Sequence, residues 1–378
     1  MKNKKRTIIV ISNPFGFGPT GKALAIMHQL QTSLSTTVEV VYATGDKCHE
    51  PLSERLRNKI KIEKINERDP NEISRILGKY NKPLVIVCLN RVAINTAKDL
   101  GVDAFFVDSL TWLWKEIPKD YLRADIYYAY DIFDAKEKVE GVENAKLIPP
   151  ALGKLPKPQI NKKDLILIHI GGFTNPLIPG FSREYLIMLA NAINNFVDKK
   201  KSTKIIVTGG TEPLVFLKSY IKKGDNVLIN TLPREKFLSI LNKSSLFVTT
   251  SGLMATLEAF ALKTFTVFLP PINLSQWKQL NLFAKTGSAP LRIEWEHYCS
   301  INWNFDLLDE REAIPKFIEL AKFVFANKRA EFEEHVTEIF LTVNKNIVSQ
   351  SKFIQKVGTN GAKVIAEDVK LFLKNRYS

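Results

Sequence analysis

Leu232-Pro-Arg-Glu-Lys-Phe-Leu-Ser-Ile-Leu-Asn-Lys-Ser-Ser-Leu-Phe-Val-Thr-Thr-Ser251-Gly252-Leu-Met-Ala-Thr-Leu-Glu258 reads as a helix over 234–244, a short strand over 246–249, a turn and a second helix over 253–262. Thr250, Ser251 and Gly252 fall where the strand ends and the helix begins. Hydroxyls and unsatisfied amides converge there with the positive end of the helix dipole, which suits a diphosphate. Glu258 lies two helical turns beyond Ser251, on the same face. A carboxylate so placed can accept two hydrogen bonds from a ribose diol.

Working outward, a strand over 265–269 leads into Leu269-Pro-Pro-Ile-Asn-Leu-Ser-Gln276-Trp-Lys-Gln279-Leu-Asn281, a loop opening into a helix whose amides could grip sugar hydroxyls. Upstream, strands are expected over 164–170, 204–207 and 226–228 and a helix over 183–198. Gly171-Gly172-Phe173-Thr174 and Thr208-Gly209-Gly210-Thr211 form the turns after the first two of these strands. The first half repeats this grammar, with strands over 7–11, 37–42, 84–89, 104–107 and 125–130, β-branched or aromatic enough to be buried on both faces. The expected fold is therefore α/β: two Rossmann-like domains with parallel sheets facing each other across an interdomain cleft. Boundaries are expected at 1–153 for the first domain, 154–163 for a Pro-rich linker and 164–345 for the second. Residues 346–378 form C-terminal helices, with the first domain as a candidate docking face. The last helix carries an apolar stripe at Val364, Ile365, Val369 and Phe372.

At 378 residues the chain is too long for a small disulfide-stapled scaffold. Cys48, Cys88 and Cys299 are odd in number and far apart, without the spacing of a zinc or thioredoxin-like motif, so a reducing cytoplasm is expected. The net charge of +15 favours an anionic partner. No apolar run reaches bilayer length, and the segment behind the basic Met1–Arg6 is too short for a signal-peptide core. Membrane contact, where it occurs, is expected to be peripheral, on an anionic inner face.

Pro14-Phe-Gly16-Phe-Gly18-Pro-Thr20-Gly21-Lys22-Ala23 follows the first strand. It matches G-x-G-x-x-G and nearly matches the phosphate loop. Ala23 stands where a phosphate loop needs a magnesium-holding hydroxyl, and Asp46 lies late for the ribose acid of a dinucleotide fold. A ligand loop and a plain tight turn both remain open. Trp112 and Trp114 are expected to pack, His169 to be a cleft or a core histidine, and His49, His297 and His335 to lie at the surface or in packing.

The order Ser251-Gly252, Glu258, Pro270, Gln276 or Gln279, Asn281 resembles the GT-B glycosyltransferase superfamily. Within it, the closest resemblance is to the bacterial UDP-N-acetylglucosamine transferases of lipid II synthesis. The resemblance implies a donor site built by Gly171, Gly172, Thr174, Gly209, Gly210, Leu232, Thr250, Ser251, Gly252, Glu258, Gln276, Gln279 and Asn281, with Leu232 placed where backbone reads the uracil edge. It also implies an acceptor site at Gly16, Gly18, Thr20, Gly21, Asn90 and Arg91. The family's histidine is missing from the glycine-rich loop, which leaves Asp108 as the candidate catalytic base. The implied activity is inverting transfer from a nucleoside-diphosphate sugar, UDP-linked by expectation, to a small-molecule or lipid-linked acceptor. No D-x-D sequence occurs, so neither a metal nor another cofactor is expected, and no nucleic-acid partner is. Three rivals stand beside this: an NAD(P)-dependent oxidoreductase using Gly16, Gly18 and Gly21, a non-catalytic sugar-nucleotide-binding protein, and a sugar-nucleotide epimerase of the same fold.

Overall fold

The computed structural model describes residues 6–15, 18–34, 37–45, 60–173, 177, 180–222, 224, 226–341 and 346–377. They form two compact units, residues 1–154 with 357–378, and residues 155–356.

The first unit is built on seven strands: β1 (Arg6–Ser12), β2 (Val38–Thr44), β3 (Lys61–Lys64), β4 (Leu84–Cys88), β5 (Asp103–Asp108), β6 (Ile126–Tyr130) and β7 (Ala145–Ile148). They lie in the order β3-β2-β1-β4-β5-β6-β7, every pair parallel. Central β1 and β4 are almost entirely buried runs of Ile, Val and Leu, as strands covered by helices on both faces must be. Helices α1 (Gly18–Ser33), α2 (Pro70–Lys79), α3 (Arg91–Asp99) and the single-turn α4 (Ala135–Lys138) supply the connections. The five strands expected here are present, with β3 and β7 in addition. Both additions are half-buried edge strands, and the charges of Lys-Ile-Glu-Lys on β3 blunt an edge while hiding the apolar run that marks a strand.

The second unit has five parallel strands: β8 (Lys163–Ile170), β9 (Lys204–Gly209), β10 (Val227–Ile229), β11 (Ser244–Thr250) and β12 (Thr266–Leu269), in the order β10-β9-β8-β11-β12. Around them run α5 (Arg183–Lys199), α6 (Thr211–Lys218), α7 (Arg234–Lys243), α8 (Leu253–Ala261), α9 (Leu274–Lys285), α10 (Glu310–Asn327), α11 (Arg329–Leu341) and α12 (Val348–Val357). Its core joins β8, β9 and β11 to α5, α10 and α11 through residues such as Tyr185, Phe196, Trp295 and Phe332.

Residues of the expected linker, Gln159 and Lys162, hydrogen-bond within this unit. Lys162 Nζ donates to the carbonyls of Asn242 and Leu262, and Gln159 N donates to Asn242 Oδ1. Helix α12, expected with the C-terminal tail, also belongs here. Its Gln350 side chain pairs with both backbone polar groups of edge residue Thr266, at 3.1 and 2.8 Å, and Phe353 packs on Phe260 and Phe283. The final helix, α13 (Gly361–Tyr377), packs in the first unit. Arg6 Nη1 donates to Leu373 O, Lys146 pairs with Asp368, and Phe105 meets Phe372 edge-on.

Candidate functional site

In the second unit the chain leaves β8 toward β9 and β10, then returns to the other side through β11 and β12. A parallel sheet so wound opens a crevice beyond the carboxyl ends of the two strands where the order reverses. Those strands are β8 and β11, paired with His169 opposite Thr249. The loops that follow them are Gly171-Gly172 and Ser251-Gly252.

The glycines of the first loop answer to packing. Gly172 has φ +85°, and a Cβ there would sit 2.6 Å from Gln276 Nε2; one on Gly171 would sit 2.6 Å from the His169 ring. Gly209, at the end of β9, approaches Ile170 as closely. Only residues without a β-carbon permit these approaches. Above them the two loops are stitched together. Thr250 Oγ1 donates to Gly171 O at 2.8 Å and Gln276 Nε2 donates to the same carbonyl at 3.0 Å. Ser251 Oγ donates to Gln276 O at 2.6 Å, and Gln279 Nε2 donates to Ser251 O. The amides of Gln276 and Gln279, expected to grip sugar hydroxyls, are thus turned inward and hold the loops. Asn281, half-buried, follows on the same helix.

Three helices begin beyond the carboxyl ends of these strands without a side-chain cap: α6 behind Gly210, α7 behind Pro233 and α8 behind Gly252. Their neighbours α5 and α9 are capped by Ser182 and Asn273, and Glu310 adds an acceptor for Ser275 N on α9. Uncapped amides and three dipoles therefore gather around one edge, where a polyanion would find donors. Two turns into α8, Glu258 is buried, and Arg234, the first residue of α7, brings Nη1 to 2.6 Å from its Oε1. Burial pushes this carboxyl above the ordinary carboxylate range and the guanidinium pulls it back. The Leu232 side chain is buried with Phe237, Leu238, Phe247 and Ala259.

His169, at the end of β8, is half-buried beside the Gly171 turn. Its ring stacks on Phe247, its Nδ1 lies 3.2 Å from Thr249 Oγ1, and burial lowers its pKa to about 4. The indoles of Trp112 and Trp114 are likewise spent inside the first unit, on Ser109 O and the Asp108 carboxylate.

Asp108 is the last residue of β5 and fully buried. Its Oδ1 accepts from Leu110 N at 2.6 Å, and its Oδ2 from Trp114 Nε1 at 2.7 Å and Tyr127 Oη at 2.6 Å. A carboxylate bound to three donors anchors the loop after β5, and the open base expected at this position is not what the structure presents. Asn90 caps α3, its Oδ1 accepting from Ala93 N, while Arg91 is exposed and pairs with Asp120. Gly18, Thr20 and Gly21 form the first turn of α1, with Thr20 buried. Lys22, absent from the expected site, is fully buried; its Nζ donates to Val107 O and Ser109 Oγ at 3.2 and 2.9 Å, and burial lowers its pKa to about 8. Gly16, Asp46, His49 and Thr174 lie outside the described residues.

Arg234 was legible as a basic residue opening a helix two positions after Leu232, but its reach to Glu258 depends on how α7 and α8 pack. Among the described residues no group of three or more His, Cys, Asp or Glu side chains is disposed to hold a metal ion, and no helix is long and apolar enough to cross a membrane.

No protein-family model matches the sequence, nor does any curated protein. Among solved structures the chain is similar to the S. aureus MnaA–UDP co-structure, with TM-score 0.58 and 14% identity over 98% of this chain and 97% of that one. It is similar to a putative UDP-N-acetylglucosamine 2-epimerase from Listeria monocytogenes, with TM-score 0.56 and 17% identity over 99% and 97%. It is also similar to Acinetobacter baumannii MurG, with TM-score 0.50 and 14% identity over 97% and 99%. Likeness at this level of identity speaks for architecture: the chain has the GT-B fold, an α/β chain with two parallel-sheet domains.

Proposed function

We propose that the protein is a glycosyltransferase that moves a sugar from a nucleoside-diphosphate donor, UDP-linked, to a small-molecule or lipid-linked acceptor, with inversion and without a metal. The observation that carries this reading is the mouth at Ser251-Gly252. The uncapped start of α8 follows β11 at the switch point of the second sheet, and one buried carboxylate, Glu258, lies inside that helix, paired with Arg234 at the uncapped start of α7. Diphosphate at the amides and ribose at the carboxylate is the ligand chemistry such a site complements. Inverting transfer needs charge stabilisation on the departing nucleoside diphosphate, and the α8 amides would supply it. The acceptor is assigned to the first unit, around Gly16–Gly21, Asn90 and Arg91. The likeness to the MnaA–UDP co-structure and to the putative UDP-N-acetylglucosamine 2-epimerase of Listeria supports the choice of UDP.

Thermal unfolding in the presence of UDP-, dTDP- and GDP-sugars tests the donor class, because a ligand of the native state at a hundredfold its Kd adds about 2.7 kcal/mol of stability. Protection by UDP-sugars alone is expected, and protection by NAD(P) with none from UDP would return the chain to the oxidoreductase reading. The likeness to the Listeria 2-epimerase favours a second reading, epimerisation of the donor itself. Incubation with UDP-N-acetylglucosamine and no acceptor separates the two: accumulation of the 2-epimer identifies an epimerase, and an intact donor supports a transferase.

A further inference from the structure

Helix α8, Leu-Met-Ala-Thr-Leu-Glu-Ala-Phe-Ala, is apolar apart from Thr256 and Glu258, and seven of its nine residues are buried. A carboxylate in those surroundings stays charged only where a counter-ion meets it. Arg234 meets it, with Nη1 2.6 Å from Oε1 and the two side chains 12% and 5% exposed. No other titratable residue lies on α8, and none on β11 or β12. On α7, Glu235 and Lys236 are exposed and Lys243 is at the far end of the helix. Helices α9 and α12 meet α8 through Phe260. Their Lys285, Lys352 and Lys356 are exposed and Lys278 is directed to Asp306. Among the described residues, Arg234 is therefore the counter-ion of Glu258.

We propose that Arg234 is a positioning residue for donor recognition: by pairing with Glu258 it fixes the orientation and charge of the carboxylate, so that the carboxylate accepts from a ribose hydroxyl of the nucleotide. The inference rests on the donor-site reading above. An ionised carboxyl only accepts hydrogen bonds, whereas a protonated one turns an oxygen into a donor. Loss of the guanidinium leaves Glu258 to burial alone, which favours the protonated form. Ribose recognition then becomes pH-dependent in a way that loss of packing does not imitate.

The test compares binding of UDP and 2′-deoxy-UDP by wild type, Arg234→Gln and Arg234→Lys at pH 6.5 and 8.5. The two nucleotides share a diphosphate, so the ratio of their Kd values isolates the sugar hydroxyl. Wild type is expected to prefer UDP by roughly tenfold at both pH values, as is Arg234→Lys. In Arg234→Gln the preference should be weaker at pH 6.5 than at pH 8.5. An unaltered ratio in Arg234→Gln, or one lost equally at both pH values, overturns the proposal. Wild-type protein that binds neither nucleotide refutes the donor reading instead. The Arg234–Glu258 coupling is then read from unfolding of Arg234→Gln against Arg234→Gln/Glu258→Gln between pH 5 and 8.5. The single variant should lose stability relative to the double as pH rises, or fail to fold where the double folds; parallel behaviour overturns the coupling.

Discussion

At Glu258 two opposing effects meet, burial that disfavours the charged carboxyl and a guanidinium 2.6 Å away that favours it. On the proposed donor site, replacing it by Ala would remove the acceptor for the ribose and leave the α8 amides in place. Glu258→Ala should therefore weaken UDP binding by about ten- to a hundredfold, the worth of a charge-assisted hydrogen bond or two, as read by calorimetric titration; unaltered affinity would remove the residue from the donor site. His169 carries a pH signature. Its folded imidazole stays neutral down to about pH 4, while in the unfolded chain it takes up a proton below its ordinary pKa near 6.5. The unfolded state binds more protons in that window, so stability should fall as pH drops from about 6.5 to 4. Relative to His169→Phe the loss should approach about 3 kcal/mol, measured by urea unfolding across that range; matching pH profiles would contradict the burial argument. For Asp108, Asn substitution points an amide at one of three donors. The expected cost is about 2 kcal/mol of stability with UDP binding retained, and a fully stable variant without transfer would restore the base assignment.

Docking of α13 turns on a close backbone approach at its first residue. A β-carbon on Gly361 would collide with the carbonyl of Pro149, so Gly361→Ala should destabilise the first unit by about 1–3 kcal/mol, seen in its denaturant midpoint; an unshifted midpoint would mean the helix contributes little. Strands buried on both faces, such as Ile8–Ile11 and Leu84–Cys88, are visible in sequence because every position must be apolar. Edge strands β3 and β7 lack that requirement, and their half-exposed residues mimic a loop. The grouping of helix α12 with the second unit is hidden in the sequence for a related reason. Gln350, which ties it to the exposed side of β12, is one polar residue whose partner lies 84 positions away in the chain.

For the whole molecule, the two-sheet architecture was readable because the strand–turn–helix grammar restarts after residue 160. The strand–turn–helix around Ser251-Gly252 was readable because a β-rich run stops at a Ser-Gly turn and an apolar helical run follows. Less could be read of the side chains that shape that turn. Gln276 and Gln279 sit where amides could face a sugar, yet the carbonyls of Gly171 and Ser251 claim them, an outcome settled by how two distant loops meet. Lys22 was hidden in the same way, since its partners Val107 and Ser109, at the end of β5, lie 85 and 87 positions on in the chain. The central claim is that the second unit holds a uridine diphosphate with its pyrophosphate at the start of α8. A crystal structure of the protein soaked with UDP measures this directly. Pyrophosphate density at the amides following Ser251, with a ribose hydroxyl within hydrogen-bonding distance of Glu258, is the expected result; density confined to the turn at Gly18–Gly21, with the α8 start empty, would contradict it.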